Sequence, residues 1–173
     1  MPSGPDPAVD FSKSWFDAVM SMKPKPKSIA FVAADAEFAR NLKEGAVENA
    51  KRLGLKIVYN KNYPPRTADH TPIIRAVNAT KPDLFYVASY PNGSAGLVRA
   101  VSEVGTKAKA FGGGMVGLQF AGIMKGLGPK LNGVLNYDFY VPEPNMNAYP
   151  GVTDLLAEYQ KKAPAAKVDP LGY

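Results

Sequence analysis

The sequence has no cysteine and only one histidine among its 173 residues. A chain without cysteine forms no disulfide and no thiolate metal site, and a lone histidine argues against a zinc site. No apolar run approaches the ~18 residues that a membrane-spanning helix needs. The opening stretch Met1–Pro7 lacks the basic start and apolar core of a signal peptide, and its prolines predict a loop. We therefore expect this chain to be a piece of a longer protein.

The charge pattern does not indicate a nucleic-acid-binding protein. The formal net charge is +6, but lysine and arginine are dispersed along the chain, and no aromatic RNA-reading motif accompanies them. The densest basic stretch, Lys23–Lys27, alternates with proline, which is typical of an exposed linker. Hydrophobic residues make up 46% of the chain and charged residues 21%, as in an ordinary globular domain.

Strand and helix patterns alternate along nearly the whole chain. Short apolar runs predict strands at Ser28–Ala34, Leu55–Tyr59, Leu84–Ala88, Ala108–Phe111 and Val134–Tyr140. Apolar residues at helical spacing predict helices at Phe11–Met22, Glu37–Leu53, Thr71–Thr80, Ser94–Val104, Leu118–Leu127 and Val152–Lys162. Such alternation predicts an α/β fold with a doubly wound, mostly parallel open sheet and helices on both faces, a Rossmann-like three-layer sandwich.

In an open parallel sheet, ligands bind beyond the carboxyl ends of the strands. That rule selects three loops, which are Asp35–Phe38, Ser89–Asn92 and Gly112–Gly117. Catalytic groups are scarce near these loops. We expect His70 to lie exposed in a helix-entry loop without catalytic partners, and Asp35 to cap the helix that follows it.

One motif favours a different function. The sequence from Gly112 to Gly117 satisfies G-x-G-x-x-G after a predicted strand, and Asp138 follows at about the spacing of a dinucleotide-binding fingerprint. The motif lies in the fourth strand–helix unit and not the first, and Asp138 falls inside a predicted strand. Glycines also occur wherever backbone must approach another group closely. A nucleotide-binding enzyme domain that uses Gly112–Gly117 therefore remains an alternative.

Several segments together resemble a known family. The segment Tyr63–Ile74 is similar to a "Y…D-F-S-x-I-I" helix entry, and Lys81-Pro82-Asp83 is similar to the "K-x-x-x-P-D" that precedes a strand. The segment Gly96–Gly105 resembles an "L-x-x-A-x-E-x-G" helix, and Ile29–Val32 with Gly45 resembles an "I-A-I-V…Y-G-x-G" unit. Their order and spacing identify the chain as a member of the type I periplasmic binding proteins of the leucine/isoleucine/valine group.

The resemblance implies a two-lobed protein that closes on a ligand in its cleft. Residues 25–173 would form the second, ligand-binding lobe, and residues 1–24 would come from the region between the lobes. Family members grip the ligand with aromatic residues, and the matching positions are Phe38 and Tyr90. A glutamate that pairs with the ligand ammonium in amino-acid binders corresponds to Gly114 or Met115, so that charge is missing here.

We expect ligand contacts from six residues, namely Asp35, Phe38, Ser89, Tyr90, Gly114 and Met115. The resemblance further implies a binder and not an enzyme, without cofactor or metal. Its partners would be a hydrophobic amino acid or an aromatic or aliphatic carboxylate, and the permease subunits of an ABC importer. The full-length protein would carry a signal peptide and act in the periplasm. A ligand-sensing domain of a receptor or regulator with the same fold remains a second alternative.

Overall fold

The computed structural model describes residues 5–138 and 148–162. Within these residues the helices are α1 (Pro7–Met20), α2 (Glu37–Arg52), α3 (Thr71–Ala79), α4 (Pro91–Val104), α5 (Ala121–Leu127) and α6 (Val152–Lys162). The strands are β1 (Ser28–Ala34), β2 (Lys56–Tyr63), β3 (Leu84–Ser89), β4 (Ala110–Met115) and β5 (Val134–Asn136). A short 3-10 turn at Gly128–Leu131 follows α5.

The five strands form one parallel sheet in the order β2-β1-β3-β4-β5. The order reverses direction after β2, and right-handed crossovers then place α2 on one face of the sheet and α3, α4 and α5 on the other. Helix α1 lies on the same face of the sheet as α2, because it packs against α2 and also contacts β4. The predicted fold class is therefore confirmed.

The central strands are buried on both faces, which explains their continuous apolar sequence. All six residues of β3 and the last six residues of β1 are buried. The largest buried side chains include Phe31, Phe85 and Tyr86. Strand β2 is partly exposed because it lies at an edge of the sheet. Its polar segment Asn60–Asn62 continues the strand beyond the predicted end at Tyr59.

Helix α1 is part of the same hydrophobic core as the sheet. It begins earlier than predicted, at Pro7, because the Asp6 carboxylate accepts a hydrogen bond from the Val9 N–H at 3.3 Å. Trp15, Phe16 and Val19 belong to the main core cluster. The assignment of residues 1–24 to a region between lobes stays a prediction, as does the start of the lobe at residue 25.

Asp83 joins three strands at the amino-terminal edge of the sheet. Its Oδ2 accepts hydrogen bonds from the backbone N–H groups of Lys27 and Ser28, at 2.8 and 3.2 Å. Its Oδ1 lies 2.9 Å from the Lys109 ammonium, which precedes β4. Hydrogen bonds to Lys109 and to the backbone lower the pKa of the Asp83 carboxyl group, so it stays ionised and holds the edge together.

The predicted ends of β4 and β5 were also wrong. The glycines Gly112–Gly114 lie inside β4, whereas the sequence predicted that this strand ends at Phe111. Strand β5 ends at Asn136, so Asp138 follows the strand and does not lie within it. The predicted end of β5 at Phe139 and Tyr140 lies outside the described residues.

Candidate ligand-binding site

Two aromatic side chains meet at the carboxyl edge of the sheet. Strands β1 and β3 are neighbours, so the chain segments that leave their carboxyl ends lie side by side. Phe38 comes one residue after the start of α2, and Tyr90 directly precedes α4. Their ring centroids are 6.2 Å apart at an interplanar angle of 57°. The rings are 37% and 36% exposed, so together they offer an apolar surface to a ligand.

Asp35 lies at the same edge but is already ion-paired. Its Oδ1 lies 3.0 Å from Arg40 Nη1 and accepts a second hydrogen bond from the Asn62 amide at 3.4 Å. The side-chain Oδ1 of Asn62 in turn accepts a hydrogen bond from the Lys43 ammonium group. The expectation that Asp35 caps α2 was wrong, because Ala36 is the N-cap residue and no side chain caps this helix. The Arg40 pairing leaves Asp35 little net charge to offer a ligand.

Ser89 lies beneath Tyr90 and is fully buried. Its hydroxyl is 2.6 Å from the hydroxyl of Ser94, which is also fully buried. The pair ties the end of β3 to the first turn of α4, which holds Tyr90 at the surface. A direct contact between Ser89 and a ligand stays a prediction.

Gly114 and Met115 lie in β4 beside the end of β3, where they pair with Ala88 and Ser89. Met115 is fully buried, and a Cβ added at Gly114 would lie 2.8 Å from Leu42 Cδ1. Both residues therefore form the interior behind the exposed ring pair. Neither position carries a charge, and their ligand contacts also stay predictions.

The amide of Asn136 completes this part of the sheet. Its Oδ1 accepts a hydrogen bond from the Met115 N–H at 2.9 Å, and its Nδ2 donates to the Met115 carbonyl at 3.0 Å. The side chain of the last β5 residue thus makes to Met115 the two hydrogen bonds that the backbone of a longer β5 would make.

The glycine run is explained by close packing within the sheet. A Cβ at Gly112 would lie 1.8 Å from the Leu135 carbonyl oxygen of β5. Gly113 has a φ of +127°, and a Cβ there would lie 2.6 Å from the Tyr86 ring. Only glycine fits at such positions. Because Gly112–Gly114 lie within a strand, the prediction that they form a loop after it was wrong.

The prediction that His70 is exposed was also wrong, since its side chain is 4% exposed. The ring meets Tyr63 edge-on at a centroid distance of 5.3 Å. On the other side it packs on Gly96, where a Cβ would lie 2.6 Å from the imidazole. Neither ring nitrogen has a hydrogen-bond partner among the described residues. Burial lowers the pKa of His70, and the nearby Asp69 acts in the opposite direction.

Tyr63, which was not among the predicted site residues, ends β2 at the same edge of the sheet. Its ring is buried, and a Cβ added at Gly93 would lie only 2.4 Å from the Tyr63 hydroxyl oxygen. Burial raises the pKa of Tyr63 to about 12, and the Ser89 hydroxyl lessens this effect. Tyr63 therefore supports the first turn of α4 from below. The sequence pattern did not identify it, because the predicted strand ended four residues earlier, at Tyr59.

The described residues contain neither a cluster of three or more His, Asp or Glu side chains that could hold a metal ion nor a helix suited to span a membrane.

The chain is similar in sequence to known solute-binding proteins. A sequence profile of the family described as "Periplasmic binding protein" matches residues 1–172. The Leu/Ile/Val-binding protein homolog 8 of Brucella abortus is 27% identical over 140 residues, which cover 80% of this chain and 35% of that protein. The chain therefore spans about a third of the length of the curated relatives it matches.

Solved structures share the fold at low sequence identity. The leucine-, isoleucine-, valine-, threonine- and alanine-binding protein of Brucella ovis, in a closed conformation, is 20% identical with a TM-score of 0.68, over 89% of this chain and 38% of that one. An extracellular ligand-binding receptor of Rhodopseudomonas palustris HaA2 is 16% identical with a TM-score of 0.71, over 95% of this chain and 47% of that one.

Proposed function

The chain belongs to the periplasmic binding protein family, and from this membership we propose that it is part of the substrate-binding component of an ABC importer of the branched-chain amino acid type. The names of two Brucella proteins support this choice, since one is called a Leu/Ile/Val-binding protein homolog and the other a leucine-, isoleucine-, valine-, threonine- and alanine-binding protein. Proteins of this family bind solutes, and we place this one in the periplasm, with permease subunits as its partners.

The proposed ligand site is the carboxyl edge of the sheet, facing a second lobe. Residues 25–173 would supply one half of the cleft, and residues 1–24 would lead in from the region between the lobes. The observation that carries the proposal is the exposed ring pair of Phe38 and Tyr90. Large exposed aromatic rings at a sheet's ligand-binding edge favour an apolar solute.

The charges at this edge bear on the class of ligand. An amino acid carries an ammonium group, and a buried ammonium without a carboxylate partner costs several kcal/mol. Gly114 and Met115 provide no carboxylate, and Asp35 is paired with Arg40. We therefore favour an aromatic carboxylate, whose ring would lie on Phe38 and Tyr90 while the second lobe holds its carboxylate. A small hydrophobic amino acid is the other candidate, and the names of the relatives support it.

Transport would depend on the closing of the two lobes. A ligand that touches both lobes stabilises the closed form, because it makes more contacts there than in the open form. The closed form would then dock on the permease. Ser89, Gly114 and Met115 lie next to the ring pair in this scheme, and their direct contacts with the ligand remain part of the proposal.

Isothermal titration of the full-length protein with benzoate and with leucine tests this proposal. We expect benzoate to bind and leucine to bind more weakly. Tight binding of leucine without binding of benzoate would reject the aromatic carboxylate and leave the importer function standing. Failure of a series of hydrophobic amino acids and carboxylates to bind would contradict the substrate-binding function itself.

A further inference from the structure

The segments that lead into the five strands lie together at the amino-terminal edge of the sheet, opposite the ring pair. They are residues 21–27, 53–56, 80–83, 105–109 and 128–133. These segments contain eight lysines and one acidic residue, Asp83, which gives them a net charge of +7. The whole chain has a formal net charge of +6, so all other residues together carry −1. We name this surface the lysine edge, after Lys23, Lys25, Lys27, Lys56, Lys81, Lys107, Lys109 and Lys130.

Hydrogen bonds join neighbouring segments of the lysine edge. The Lys56 N–H donates to the Lys27 carbonyl at 2.9 Å, and the Lys109 N–H donates to the Asp83 carbonyl at 2.7 Å. The Asp83 carboxylate in turn accepts a hydrogen bond from the Lys27 N–H at 2.8 Å. Lysines that are dispersed in the sequence therefore lie side by side in the fold. Because neighbouring strands are about 4.8 Å apart, the five segments span roughly 20 Å.

Most of the positive charge of the lysine edge is not neutralised within the molecule. All eight lysines are exposed, and among residues 5–138 and 148–162 only Lys109 of this set has an ion-pair partner, Asp83 at 2.9 Å. Basic side chains also stabilise helices, but they do so from the last helical turn. The last turns of α1, α3 and α4 contain no basic residue, so these lysines are not explained by helix stabilisation.

The carboxyl edge of the sheet has the opposite charge. Its described connecting segments contain three acidic residues, Asp35, Asp69 and Asp138, and one basic residue, Arg66. Charge is therefore separated along the direction of the strands. An anionic surface would attract the lysine edge and leave the ring pair of Phe38 and Tyr90 facing away from it.

The composition of the lysine edge favours a lipid surface over a protein or a nucleic acid. Protein interfaces are depleted in lysine and enriched in aromatic residues and arginine, and the five segments contain neither an aromatic residue nor an arginine. Without aromatic rings, they also offer nothing on which bases could stack. Leu53 lies in the second segment and is 43% exposed, and a membrane interface accommodates such an apolar side chain.

We propose that the lysine edge binds the surface of a membrane rich in anionic phospholipids. The lysine ammonium groups contact the lipid phosphates, and Leu53 enters the boundary between headgroups and acyl chains. The spread of the lysines over five segments suits a continuous anionic surface better than a single phosphate group. The proposal does not depend on the importer function.

Sedimentation of the 173-residue chain with lipid vesicles tests the proposal. We expect binding to vesicles of phosphatidylglycerol and phosphatidylcholine, no binding to phosphatidylcholine alone, and weaker binding as the salt concentration rises. The combined changes Lys25→Gln, Lys56→Gln, Lys81→Gln and Lys130→Gln should weaken binding by at least about tenfold. A lysine near an anionic membrane contributes about fivefold to affinity, so loss of two effective contacts already exceeds this value.

A control variant has the same net charge but keeps the lysine edge. It combines Lys13→Gln, Lys61→Gln, Arg75→Gln and Arg99→Gln, at exposed positions within α1, β2, α3 and α4. Its affinity for the anionic vesicles should change by less than about threefold, because salt screens charges beyond ~8 Å.

Three outcomes would overturn the proposal. Equal binding to vesicles with and without phosphatidylglycerol would show that anionic lipid is not recognised. Equal losses in the two variants would show that net charge alone is responsible. Tighter binding to polyglutamate than to the anionic vesicles, with the same dependence on the four lysines, would indicate an acidic protein as the partner. Ligand binding by the full-length protein is measured separately with benzoate and leucine, so none of these outcomes affects the proposed transport function.

Discussion

The Tyr86 ring occupies the space that a side chain at Gly113 would need. A Cβ added at Gly113 would lie 2.6 to 2.9 Å from three atoms of the ring. Tyr86 is fully buried and also contacts Trp15, Phe16 and Phe31. The glycine thus lets one large side chain of β3 extend across the neighbouring strand β4.

Replacing Gly113 by alanine should destabilise the protein by at least about 2 kcal/mol, because the new methyl group meets the Tyr86 ring and the φ of +127° is unfavourable for alanine. Urea unfolding measures the difference. Gly126→Ala is the control, since nothing lies within 4 Å of a Cβ there, and it should be neutral or slightly stabilising. Equal stabilities of the two variants would show that Tyr86 moves aside at little cost.

Phe38→Ala and Tyr90→Ala should each weaken binding of the transported ligand to the full-length protein by about 30-fold, the loss that corresponds to ~2 kcal/mol at an aromatic contact. Their stability should fall by only about 1 kcal/mol, because each ring is more than a third exposed. Leu53→Ala, at the far end of α2, is a matched exposed control. Unchanged affinity in both aromatic variants would place the ligand elsewhere.

Asp83→Asn should lower the free energy of unfolding by about 2 kcal/mol, because the carboxylate accepts two backbone hydrogen bonds and pairs with Lys109. Lys109→Met removes only the partly exposed ion pair and should cost less than about 1 kcal/mol. The pKa of Asp83 lies below its ordinary value of 3.8, so its contribution is present above that pH and is lost as the pH falls further. A larger effect from Lys109→Met would contradict this order.

His70 should make the protein less stable in mild acid. Its pKa is lowered by burial, so the unfolded chain takes up a proton below about pH 6.5 while the folded protein remains unprotonated there. The free energy of unfolding should therefore decrease from pH 7 toward pH 5. His70→Phe keeps a ring against Tyr63 and should flatten this slope. Identical slopes in both proteins would show that His70 does not titrate between the two states.

The 173-residue chain alone should bind the transported ligand very weakly, because half of the proposed contacts come from a second lobe. Calorimetry with benzoate and leucine on this chain and on the full-length protein measures the difference. A micromolar dissociation constant for the chain alone would contradict the two-lobed site.

The sequence predicted the fold class and the bounds of β1, because a strand buried on both faces leaves a continuous apolar run. It did not predict that Gly112–Gly114 continue β4. Glycine has a low preference for strands, and the glycines are required here by Tyr86 and Leu135, which lie far away in sequence.

Packing between segments that are distant in sequence also limited prediction of the candidate site. The rule of the carboxyl edge selected Phe38 and Tyr90, and the structure brings their rings together. The burial of Met115 depends on the extension of β4, and the burial of His70 depends on the gap at Gly96. Neither local pattern nor residue type carries this information, because both depend on packing between distant segments.

Asn136 determines how freely the polypeptide can leave the sheet. Because its amide satisfies both the N–H and the carbonyl of Met115, no later residue has to remain alongside β4 to supply those bonds. Insertions or deletions just downstream would therefore leave these two hydrogen bonds to Met115 intact. Relatives could vary in length there without loss of structure at the carboxyl edge of the sheet, where Phe38 and Tyr90 lie.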